Sequence, residues 1–66
     1  MKPAICIEWR SPSMATPAYE YFDPANMDFV NWHVRLLHAR RIPLVVRCCE
    51  VPDHVRLVEE GDRSRG

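Results

Sequence analysis

Three cysteines and three histidines carry the side chains best suited to chemistry: Cys6, Cys48, Cys49, His33, His38 and His54. Thiolates and imidazoles together are the ligand set of a tetrahedral zinc site. Their spacing argues against one. The chain has no CxxC and no HxxxH. Cys48 and Cys49 are neighbours, and neighbours on a strand point to opposite faces, so they do not readily share a metal or form an unstrained disulfide. His33 and His38 stand about 140° apart around a helix. A cysteine nucleophile needs a histidine base beside it, and only Cys49 and His54, flanking a turn, are placed to meet. The only glycines, Gly61 and Gly66, lie in the tail, so a phosphate-cradling loop is absent and nothing signals an oxyanion hole. The expectation is a protein without catalytic site, metal or cofactor, its cysteines reduced and packed as small apolar residues.

Charge narrows the partners. Nine basic and nine acidic residues cancel, which fits neither the basic face of a duplex-DNA binder nor the acidic excess of a DNA mimic. Lys2 and Arg10 face four acids in the first half, and the surplus of arginine falls in the second. Arg35, Arg40 and Arg41 on one helix form a modest basic zone, and Tyr19, Tyr21 and Phe22 have rings that stack on unpaired bases. The glycine-aromatic pattern of an RNA-binding strand is missing from "LVVRCCEV". Binding of RNA or single strands through the helix arginines is therefore the alternative reading, not the first.

Sixty-six residues, 47% of them hydrophobic, make at most one domain, with too little mass for both a core and a deep pocket. No run resembles a signal peptide, and none approaches the roughly 20 apolar residues of a membrane span. An odd cysteine count adds to the expectation of a free-standing chain in a reducing cytoplasm.

The elements that must position these residues follow from pattern. "PAICIEWR" alternates, placing Ile5, Ile7 and Trp9 on one face of a strand and Cys6, Glu8 and Arg10 on the other. "SPSMATPA" reads as a loop, and "YEYF" as a short strand or an extended arm. A helix is predicted from Pro24 to about Arg40, with Asp23 as its cap and Pro43 blocking continuation. "PLVVRCCEV" predicts a strand, and "VRLVEE" its antiparallel return through a turn at "PDH". Residues 61–66 read as a flexible tail. The fold expected is α+β: one helix on a three- or four-stranded, mainly antiparallel sheet, in the order β(β)αββ over residues 1–60. Across the sheet, Glu8 and Glu50 are expected to pair with Arg47 or Arg56.

The helix is apolar too far round. On a helical wheel, Met27, Val30, Val34 and Leu37 occupy about 280–360°, and Phe29, Trp32, Leu36 and Ala39 about 120–200°. Covering one sheet needs a stripe only somewhat over 100° wide. Either the loop before the helix folds over the second group, or that group faces a partner. Trp32, His33, Leu36 and Arg40, with Tyr19 and Tyr21, have the aromatic-plus-arginine composition of binding hot spots. The function expected is a non-enzymatic protein–protein interaction module. Its size and class suit an inhibitor or modulator of a larger bacterial complex, of the anti-defence or anti-CRISPR kind carried by phages, or a homodimer.

Overall fold

The computed structural model describes residues 1–60. The alternating stretch near the N-terminus forms β1 (Lys2–Trp9), the central strand of a three-stranded antiparallel sheet. On one side lies β2 (Ala18–Phe22), on the other β3 (Leu44–Val51). Of the two options for "YEYF", the strand is what forms. Register assigns the faces: Ile5 lies opposite Phe22 and Cys48, and Ile7 opposite Glu20 and Val46. On the reverse face, Cys6 lies opposite Tyr21 and Arg47, and Glu8 opposite Tyr19 and Val45.

The helix, α1 (Met27–Ala39), lies on the first face. Ile5, Ile7 and Phe22 from the sheet and Phe29, Val30 and Leu37 from α1 form the core. Burying an apolar side chain of this size is worth roughly 1.5–3 kcal/mol. The helix covers β1 and β2 more fully than β3. Ile7 and Phe22 are fully buried, whereas Val46 of β3, on the same face, is 44% exposed.

Both ends of α1 differ from expectation in an instructive way. The helix starts at Met27 rather than Pro24. Asp23 does accept a backbone N–H, but from Ala25 at 2.9 Å. Together with Asn26 N–H on the Asp23 carbonyl at 3.0 Å, this closes a turn ahead of the helix, an arrangement that competes with helix propagation. At the far end, Arg41 adopts φ 58°. Its N–H donates to the His38 carbonyl, and Ile42 N–H to that of Leu37, each at 3.0 Å. This is the Schellman pattern, in which a left-handed residue ends the helix and an apolar one packs back. Ile42 packs on the core accordingly.

The expected four-stranded option and the final hairpin are not what the chain adopts. The element order is ββαβ. After β3, Val55 N–H closes a turn on the Pro52 carbonyl at 3.0 Å, and the chain crosses to the opposite edge of the sheet. There Val58 N–H donates to the Tyr21 carbonyl at 2.7 Å and makes an isolated parallel bridge with Phe22. The segment "VRLVEE" forms no strand, and Val58, the one residue of it that bridges, joins β2 rather than β3. Apolar cover is available where α1 lies, beside β2, and Val58 packs on the core from that side. The segment 61–66 lies outside the described residues.

Candidate functional site

The two apolar groups on α1 straddle a residue that belongs to neither. His33 is the centre of the buried stripe, with 0% exposure, between Phe29, Val30 and Leu37. Its ring packs against Phe22, centroids 5.0 Å apart. Nε2 lies 3.0 Å from Glu20 Oε1, and Trp9 Nε1 donates to the same oxygen at 2.8 Å. A carboxylate only accepts, so His33 carries a hydrogen on Nε2. Glu20 thus joins β1, β2 and α1 at one atom. Among the described residues, no buried side-chain nitrogen or oxygen lacks a hydrogen-bond partner.

This placement corrects the assignment of His33 to a partner-facing surface, because a fully buried ring has no area to offer. The extra apolar width of α1 is explained instead by its two shoulders, which lean down either side of a polar pin. On one shoulder, Val34 is half-buried against the core and Met27 is 42% exposed. On the other, Trp32 stacks on Phe29, with centroids 6.1 Å apart and planes 13° from parallel, yet stays 47% exposed. Leu36 is half-buried and Arg40 exposed. Trp32, Leu36 and Arg40 follow one another at four-residue steps and so share a flank of the helix.

Tyr19 and Tyr21 are not part of that flank. Register puts them on the reverse face of the sheet, with Cys6, Glu8 and Arg47. There Arg47 Nη2 and Glu8 Oε1 lie 3.2 Å apart, the cross-strand pair that alternation predicts. Burial pushes the Cys6 thiol above its ordinary value, against the opposing pull of Arg47. Tyr19 is 50% exposed. The helix arginines of the nucleic-acid reading, Arg35, Arg40 and Arg41, are all exposed. No group of histidine, cysteine and acidic residues with metal-binding geometry occurs among the described residues, and Cys6, Cys48 and Cys49 are unbridged. No helix there is long and apolar enough to cross a membrane.

Two features escaped the sequence reading. The pattern "YEYF" marks Glu20 only as part of a strand, though strand parity with Phe22 places it on the core face. The second is β3, whose Val45 is 54% exposed on one face and Val46 44% on the other. Consecutive valines exposed on both faces mark a strand at a sheet edge without cover among the described residues. Comparison with known protein families, curated proteins and solved structures finds no match to the chain.

Proposed function

We propose that this chain is a non-enzymatic protein–protein interaction module that inhibits or modulates a larger complex by occupying its surface. One observation carries this reading: a tryptophan left half exposed beside Leu36 and Arg40 on a helix fixed from below. Rigid aromatic and arginine side chains on a preorganised element lose little entropy on binding. The complex is read as bacterial and cytoplasmic, met by an accessory or phage-borne chain of anti-defence type. The test is a pull-down from bacterial lysate with wild type, Trp32→Ala and Arg40→Glu, each shown folded by circular dichroism. Species captured by wild type and lost with both variants support the reading, and an unchanged set overturns it.

The second reading, RNA or single-strand binding, draws on the exposure of Arg35, Arg40 and Arg41. It has its own signature, since phosphate contacts make affinity fall steeply with salt. Captured nucleic acid, released as salt rises and lost with Arg35→Glu and Arg41→Glu, would replace the first reading with the second.

A further inference from the structure

We propose that two copies of this chain join along the outer edges of β3, antiparallel, into one continuous six-stranded sheet with Val46 at the two-fold axis. The surface concerned is separate from the helix flank, and the inference stands whether or not that flank binds a partner.

The hydrogen-bonding pattern supplies the template. Arg10 N–H donates to the Pro43 carbonyl at 3.4 Å, extending the β1–β3 ladder. In an antiparallel ladder alternate residues turn both backbone groups to the same side. Val45, Arg47, Cys49 and Val51 therefore face β1, and Leu44, Val46, Cys48 and Glu50 present theirs outward. Natural sheets blunt such an edge with proline, lysine, a bulge or a covering segment. β2 has a cover, in Val58. β3 pairs with β1 without interruption from Val51 to Leu44, so no bulge turns it away. Its prolines, Pro43 and Pro52, lie just beyond its ends, and its one cation, Arg47, points to the reverse face toward Glu8.

A second copy is the occupant that the side chains fit. A two-fold axis through the sheet sets each residue opposite one of its own face, and four registers pair five or more residues of β3; the one centred on Cys49 sets Val46 against Pro52, which has no N–H to give, and three remain to compare. Centred on Arg47, two guanidinium groups meet directly, and like charges opposite one another are destabilising. Centred on Cys48, Val46 faces Glu50 of the second copy, and Leu44 faces Pro52, which has no N–H to give. Centred on Val46, that residue meets its own copy and Leu44 meets Cys48, an apolar row on the helix side. Val45 meets the stem of Arg47 on the reverse, and no charge opposes a like charge. The two most exposed apolar residues of β3 are then covered. The chain's formal net charge of zero sets no long-range repulsion against its own copy.

The test is mass by light scattering behind a sizing column over a hundredfold range of concentration. Wild type is expected to rise from one chain's mass to two. Val46→Pro deletes an outward N–H that faces away from β1, and is expected to remain single throughout. Should that variant fail to fold, Val46→Lys, at a side chain already 44% exposed, carries the same expectation. For register, Val46→Cys in a Cys48→Ser background should cross-link on oxidation, because hydrogen-bonded antiparallel partners sit about 5.5 Å apart at Cα. Wild type should not cross-link through Cys48. A wild type of single mass at every concentration overturns the proposal, as does a folded Val46→Lys that still pairs. A Cys48 cross-link in wild type overturns the register.

Discussion

β2 and β3 flank the same central strand and are held by different means. β2 has five residues, β3 eight, so the ladder alone would make β3 the firmer. Side chains reverse the order. Phe22 of β2 is fully buried against Phe29, centroids 5.7 Å apart, Glu20 grips His33 and Trp9, and Val58 closes the outer edge. β3 has its ladder to β1, one ion pair, Leu44 and Val51 packed inward near its two ends, and between them two valines in water. A strand's length measures its hydrogen bonds, while its anchorage is set by what its side chains bury. In a chain this small, those are separable quantities.

The sharpest way to break that comparison is to truncate one side chain on each strand. Phe22→Ala is expected to cost about 3–5 kcal/mol, enough to abolish a cooperative urea transition in a marginally stable domain. Val46→Ala, measured at concentrations where chains are single, should stay within about 0.5 kcal/mol. Equal losses would dissolve the distinction. Next in size is Glu20→Ala, expected to cost about 1–3 kcal/mol in the same melts through the bonds it makes to His33 and Trp9.

Smaller effects sharpen the picture at the entry to β3. Arg41 ends α1 in the left-handed region, where a side chain costs about 1 kcal/mol relative to glycine. Arg41→Gly should therefore raise the melting midpoint while leaving β3 in register. The Glu8–Arg47 pair is half open to solvent, and a double-mutant cycle should give a coupling of about 0.2–1 kcal/mol, falling with salt. Last comes the reverse face. Burial raises the Cys6 thiol above its ordinary 9.0, so the folded chain holds that proton where the unfolded one has begun to lose it. Its contribution to stability is intact below pH 9.0 and fades as pH rises from there through the folded value. Melts of wild type and Cys6→Ala across that range should converge as the medium becomes more alkaline.

What was legible in the sequence was whatever depended on neighbours along the chain. The alternation of Ile5, Ile7 and Trp9 and the run Leu44–Val51 give β1 and β3, and the cross-strand pairing of Glu8 with Arg47 followed from the same pattern. The ends of α1 were less so, because Asp23 can cap a helix or close a turn with nearly the same bond. Least legible was anything decided by which side of β1 a strand joins. "VRLVEE" alternates equally well for either edge, and only the position of α1 over β2 directs Val58 there. The same blindness misplaced His33. From composition it joins Trp32 and Leu36 in an exposed patch, and Tyr19 and Tyr21 join it there too. The fold sends the tyrosines to the reverse face and draws His33 inside, because Glu20 waits opposite Ile7 to receive it.

A helix whose contact with a sheet is purely apolar can slide by a turn, or rotate onto either shoulder of a stripe this broad, and still bury nearly the same area. α1 has that ambiguity written into its wheel. The Glu20 oxygen that accepts from both Trp9 and His33 removes it, since any slipped or rotated alternative breaks the bond to His33. Satisfied networks of this kind select one packing among near-equals. The consequence is conformational uniqueness: replacing His33 and Glu20 together by leucine-like residues could leave the chain just as compact, yet dispersed over several helix settings. Such a protein would show broadened resonances for Trp32 and lose the single orientation in which that ring meets the outside world.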